Sequence, residues 1–148
     1  MINMTYRYRP GICAIVWRET PKGKQFLLLR RTQNWSGWEL PKGGCLDNET
    51  EEQTLEREMR EEVGLKNPAH EKLFYTIQYL WPGPLEKDGH DWDGVRFQLY
   101  SVKHDGSQVK IDEREHDGFA WLAYDQARDR LTYEDQKEAL KFYNFLKE

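Results

Sequence analysis

Between Gly43 and Leu65 the chain reads GGCLDNETEEQTLEREMREEVGL, and this stretch limits the possible fold more than any other. Its eight acidic residues (Asp47, Glu49, Glu51, Glu52, Glu56, Glu58, Glu61 and Glu62) are matched by only two cations, Arg57 and Arg60. Thr50 followed by Gln53 is a capping-box start for a helix. Gly64 stands where a left-handed C-cap is wanted, and Asn67-Pro68 prevents continuation. Within that helix Leu55, Met59 and Val63 form an apolar stripe that must face a core. Glu58, Glu61 and Glu62, spaced i, i+3, i+4, share one face beside it. Like charges one turn apart repel, so something must offset them. A hard divalent cation, which takes oxygen ligands, is the natural candidate. The alternative for a charge run is a solvated face. Against it stand the adjoining apolar stripe and the preceding loop, Pro41-Lys42-Gly43-Gly44, whose lysine could face phosphate.

The rest of the chain reads as an α+β protein. Gly11 to Trp17 and Gln25 to Arg30 are short apolar runs joined by a turn with Pro21 and Gly23, which predicts a hairpin of buried strands. Arg31 to Gly37 reads as loop. Leu73 to Trp81 alternates, with Leu73, Tyr75, Ile77, Tyr79 and Trp81 on one face. Pro82 to Gly94 reads as a long loop. Its run Asp88-Gly89-His90-Asp91-Trp92-Asp93 lacks the register and closing glutamate of a calcium loop. Val95 to Val102 and Phe119 to Leu122 read as further strands. Tyr124 to Arg128 and Thr132 to Phe145 read as helices, the second capped by Thr132. No βαβ period repeats, so the expected architecture is a sheet with helices packed on it.

Length and composition bound what remains. The 148 residues suit one domain. A net charge of −4 gives no global basic footprint for nucleic acid. Six tryptophans and eight tyrosines leave rings available to stack on a base. Tyr79, Trp81, Trp35 and Phe119 are the candidates, the first two foremost. Cys13 and Cys45 fit neither a zinc spacing nor a disulfide framework; Cys13 reads as a small buried hydrophobe. Met1-Ile2-Asn3-Met4-Thr5 has no signal-peptide pattern, and no apolar run approaches the ~20 residues of a membrane span. The expected compartment is the cytoplasm. Oligomeric state leaves no trace in the pattern.

Gly43, five residues, Glu49, seven residues, then Arg57-Glu58-Met59-Arg60-Glu61-Glu62-Val63-Gly64-Leu65 resembles the Nudix box at every defined position, and the lead-in Trp38-Glu39-Leu40-Pro41-Lys42-Gly43-Gly44 is similar to that family's. The resemblance implies an α/β/α sandwich with the acidic helix and C-terminal helices on a mixed sheet. It also implies a magnesium- or manganese-dependent hydrolase with two or three ions per site. By that analogy Glu58 and Glu62 are the principal metal ligands, Glu61 adds a ligand or a base, Arg57 orients the carboxylates and a carbonyl near Gly43 completes a metal shell. Glu49 is structural.

Arg9-Pro10-Gly11-Ile12, Arg30-Arg31, Trp92-Asp93-Gly94 and Glu115-His116-Asp117-Gly118 resemble the dinucleoside polyphosphate and RNA pyrophosphohydrolase branch. There Glu115 would ligate metal or activate water. His116 is read as a neighbour and not a ligand, since hard cations prefer oxygen. Lys42, Arg30 and Arg31 are the cations expected to meet polyphosphate, with Tyr79 and Trp81 on the base. One departure stands out: the tyrosine of diadenosine polyphosphate hydrolases falls on Pro82, one residue past Trp81. The leading expectation is asymmetric hydrolysis of diadenosine tetraphosphate to ATP and AMP. Removal of pyrophosphate from an RNA 5′ end is the alternative enzyme. A non-catalytic nucleotide sensor is the alternative class.

Overall fold

The computed structural model describes residues 5–147. The lack of a leader pattern concerns Met1 to Thr5, of which Met1 to Met4 lie outside the described residues. A seven-stranded mixed sheet runs β3-β2-β1-β6-β5, with β4 added to β1 and β7 to β2. Its strands are β1 (Tyr8–Thr20), β2 (Gly23–Arg31), β3 (Gly37–Glu39), β4 (Lys42–Gly44), β5 (His70–Lys87), β6 (His90–Lys103) and β7 (His116–Ala123). Helices α1 (Glu51–Glu62), α2 (Tyr124–Arg130) and α3 (Glu134–Leu146) complete it. The β1–β6 pair is parallel and the other pairs are antiparallel. No helix among the described residues is long and apolar enough to cross a membrane.

Strand alternation builds two cores, one on each face. On β1, Cys13 and Ile15 join Phe26, Leu28, Leu99, Ala139, Leu140 and Tyr143, under α2 and α3. Ile12, Ala14 and Val16 face the other way, onto Leu55, Met59 and Val63 of α1. The predicted apolar stripe is therefore the contact that holds the acidic helix to the sheet. Met59 is fully buried, so Met59→Ala is expected to cost about 2–5 kcal/mol in chemical denaturation. Cys13 is buried in this core, as expected, and burial pushes its thiol up.

Helix α1 begins and ends as its sequence predicts. Thr50 and Gln53 form both bonds of the capping box. Gly64 takes φ +83° and donates its N–H to the Arg60 carbonyl. Helix α3 differs: it starts at Glu134, and the Thr132 hydroxyl is occupied by the Trp38 N–H at 2.9 Å instead of capping.

Two segments read as irregular are strand. Residues 82–94 form the end of a hairpin, with Leu85 opposite Trp92 and Lys87 opposite His90. Asp88 and Gly89 turn it with φ of +54° and +82°, the conformation a two-residue Asp-Gly hairpin loop requires. Pairing breaks between Leu80 and Leu85, where Pro82 and Pro84 supply no N–H. The second is the loop read at Pro41 to Gly44, of which Lys42–Gly44 is β4, just after β3 at Gly37–Glu39. Strands β1 and β2 pair from Trp17/Phe26 to the turn, then part. Beyond that point Leu29 pairs with Glu39 of β3 and Cys13 with Lys42 of β4. The Ala14 N–H reaches the Pro41 carbonyl at 2.8 Å, and the Leu40 N–H reaches the Gln136 side chain at 2.8 Å. This wedge sets Glu39, Lys42 and Gly43 between the parted ends of β1 and β2, with Gly43 against the Glu58 carboxyl of α1.

Candidate active site

A cleft of about 460 Å³ opens where α1, the wedge, the β5–β6 hairpin and the turn before β7 converge. Glu58, Glu61 and Glu62 all line it. They are not equivalent: Glu58 and Glu62 are 7% and 4% exposed, while the Glu61 side chain is 45% exposed at the rim.

Arg57 organises this edge. Its Nε donates to Glu49 Oε2 at 2.6 Å and its Nη2 to Glu49 Oε1 at 3.0 Å and the Gly44 carbonyl at 2.9 Å. Its Nη1 donates to Glu58 at 2.7 Å and Glu61 at 3.3 Å. The planar fork thus fixes three carboxylates and a loop carbonyl at once. The Arg57 hydrogen bonds hold the Glu49 carboxyl down at about 2. Glu49 also accepts from the Leu46 N–H and the Thr54 hydroxyl, and it does not line the cleft.

The other carboxyls are short of positive charge. Burial, with Glu61 and Glu115 nearby, pushes Glu58 up to about 7 despite Arg57. Burial, then Glu58 and Glu115, pushes Glu62 well above the carboxylate range. Ligating atoms of Glu62, Glu115 and His116 lie within 4.8 Å of one another. Glu58 and Glu61 stand outside that tightest group, and both accept from Arg57. Buried oxygens crowded this closely suit a hard divalent cation, which would supply the missing charge. Gly43 makes the crowding possible, since a Cβ there would collide with the Glu58 carboxyl. Gly43→Ala is expected to displace Glu58 and cost about 1–3 kcal/mol in thermal or chemical unfolding.

Cations face these acids. Lys42 Nζ lies 3.6 Å from Glu39 Oε1 and Arg31 Nη1 3.4 Å from the same oxygen. Burial pulls the Lys42 ammonium down, but Glu39, with Tyr79 and Glu62, holds it above its ordinary value. Glu39 is 1% exposed; burial pushes its carboxyl up, and His116, Lys42 and Arg31 more than reverse this. Arg30 departs from expectation. It lies outside the cleft, half-exposed, bonded to Asp117 at 2.6 Å. Neighbours on a strand point to opposite faces, and only Arg31 lines the cleft.

Tyr79 and Trp81 line the cleft and continue into an adjoining pocket of about 350 Å³ with Trp35, Pro82 and Tyr133. Trp35 and Tyr133 meet edge to face at 4.9 Å. Phe119 lies outside both. Sequence reasoning missed Arg9, Lys87 and Arg114, which also line the cleft. Lys87 was hidden by reading its hairpin as a loop, although Asp88-Gly89 is a hairpin signal. Arg9 reaches the site through the pairing of Gly11 with Gly44, which no local pattern announces.

Residues 7–143 match the NUDIX domain. An RNA pyrophosphohydrolase of Psychromonas ingrahamii is 32% identical over 129 residues, which is 79% of this chain and 68% of that protein. An RNA pyrophosphohydrolase of a Sulfurovum species is 27% identical over 136 residues, 88% of this chain and 87% of that one. Among solved structures, an Ap4A hydrolase of C. elegans superposes with a TM-score of 0.70 at 22% identity, covering 93% of this chain and 97% of that one. The chain belongs to the Nudix family and has its α+β fold, a mixed sheet with helices on both faces.

Proposed function

We propose that this chain hydrolyses a phosphoanhydride bond in a nucleoside polyphosphate with the help of divalent magnesium or manganese. The observation that carries the reading is one cleft in which the buried, undercompensated carboxyls of Glu58 and Glu62 and the half-buried Glu115 share the space with Arg31 and Lys42. Glu58, Glu62 and Glu115 would hold the ion, with Glu61 and the Gly43 carbonyl as further oxygen donors. Once bound, a divalent ion neutralises phosphate oxygens and makes water a stronger acid. Arg57 keeps Glu58 and Glu61 oriented. Glu115 or one of the α1 glutamates takes the proton of the attacking water. Attack on phosphorus runs in line, and Lys42 and Arg31 offset the charge on the departing phosphate. Tyr79 and Trp81 offer faces to a base.

Two substrates fit this class. The RNA 5′ end is supported by the relatives at 27–32% identity, which carry the name RNA pyrophosphohydrolase. It is the substrate we favour. Diadenosine tetraphosphate, cleaved to ATP and AMP, is supported by the aromatic pocket beside the cleft, which offers a place for a base. The experiment is an assay with magnesium or manganese against 5′-triphosphorylated oligoribonucleotide, diadenosine tetraphosphate and ADP-ribose, with products identified. Pyrophosphate release from the oligoribonucleotide favours the first substrate, and ATP plus AMP the second. Tight binding of a nucleotide without turnover of any would replace the enzyme by a sensor.

A further inference from the structure

His116 is 0% exposed, and neither ring nitrogen has a hydrogen-bond partner among the described residues. A neutral imidazole carries one donor and one acceptor. Leaving both unmet in a dry interior is costly, so such a group calls for an explanation. Its surroundings offer carboxylates from Glu39, Glu62 and Glu115. Glu39 Oε1 lies 3.8 Å from His116 Nε2, just beyond bonding length, and Glu39 Oε2 is itself unpartnered. Toward the cleft, a His116 nitrogen, a Glu62 oxygen and a Glu115 oxygen lie within 4.8 Å of one another. The turn before β7 sets this up: the N–H groups of Glu115 and His116 both donate to the Asp112 carbonyl, at 3.1 and 2.9 Å. Consecutive side chains are thereby delivered to one cluster.

We propose that His116 is a nitrogen ligand of the divalent ion, held in place by Glu39 acting as acceptor for the other ring N–H. One ion and one short shift toward Glu39 then give both ring nitrogens a partner. A carboxylate behind a ligating imidazole fixes its tautomer and orientation. Glu39 is therefore a positioning residue. An imidazole ligand also sets the metal. Magnesium and calcium prefer oxygen throughout, whereas for the first-row divalent metals affinity for a site with a nitrogen donor rises from manganese onward. The site is selective for a transition-metal ion, manganese over magnesium.

This inference rests on the carboxylates binding a divalent ion, and its test separates the two claims. Manganese is added to the metal-free protein, and electron spin-echo spectroscopy reads nitrogen coupling to the ion. Wild type is expected to show a directly bound imidazole nitrogen, and His116→Gln to lose it. By calorimetry the manganese-to-magnesium affinity ratio is expected to fall about tenfold in His116→Gln and in Glu39→Gln. A packing defect would weaken both ions alike and leave that ratio unchanged. Should His116→Gln fail to fold, the wild-type spectrum still decides. Manganese bound to wild type without a nitrogen ligand overturns the role of His116 and leaves the carboxylates' role standing. Failure of wild type to bind either ion overturns both.

Discussion

Glu58→Gln is expected to lower turnover severely and, in the metal-free protein at pH 8, to raise stability. The two effects have one cause. Glu58 is buried near Glu61 and Glu115, and its carboxyl is pushed up to about 7 from an ordinary 4.5. A carboxyl whose folded pKa lies above its unfolded value favours the folded state fully below about pH 4.5. That contribution is lost as pH rises through about 7. At pH 8 the remaining penalty is about 3 kcal/mol, and the neutral isostere removes most of it. The metal-free wild type should therefore lose stability between pH 4.5 and 7, and the variant should lose less. Glu49 acts in the opposite sense: held at about 2, it adds stability above pH 4.5 that is lost as pH falls through 2. Adding magnesium or manganese at pH 8 should stabilise wild type more than the variant, because an ion that binds only the folded state shifts unfolding by mass action. Turnover should fall by about 10²–10³-fold, the scale of several kcal/mol of lost charge stabilisation. Urea melts across pH, with and without metal, check the stability half; an initial-rate assay checks the other. A pH-independent difference between variant and wild type would show that the buried charge of Glu58 is not the cause.

Arg57→Ala is expected to harm both stability and activity. The guanidinium satisfies Glu49, Glu58, Glu61 and the Gly44 carbonyl together, and its side chain is 16% exposed. Removing it leaves partly buried carboxylates facing one another, at a cost of about 3 kcal/mol. Glu58 loses its anchor as well, and a displacement of about 1 Å is worth about 10²-fold in rate. Arg57→Lys separates charge from geometry. Lysine restores a positive charge but not the fork, so it should recover part of the stability and little of the rate. Full activity in Arg57→Lys would show that the orientation of Glu58 is set elsewhere.

Local patterns were legible in the sequence, and long-range juxtapositions were not. The capping box at Thr50, the stop at Gly64 and the stripe Leu55–Met59–Val63 are all set by spacing within one helix, and each is found in the structure. The alternation of Leu73, Tyr75, Ile77, Tyr79 and Trp81 likewise survives, with Leu73 and Ile77 buried under α3. Strands β3 and β4 were invisible because three residues carry no period, and the splaying of β1 from β2 makes them. Pro82, Gly83 and Pro84 masked the hairpin by suggesting a loop, although the turn lay six residues further on. Thr132 had the composition of an N-cap, but Trp38, distant in sequence, takes its hydroxyl. Arg30 and Arg31 were paired by sequence adjacency, which a strand separates. Glu39 stood in the lead-in without a role of its own, since nothing in Trp-Glu-Leu-Pro says that this acid is buried between Arg31, Lys42 and His116.

Manganese anomalous diffraction on crystals soaked with the ion tests the role of the buried carboxylates most directly. An anomalous peak is expected among the carboxylates of Glu58, Glu62 and Glu115, in the cleft faced by Lys42 and Arg31. Well-ordered side chains at those positions with no peak between them would contradict a metal-dependent hydrolase.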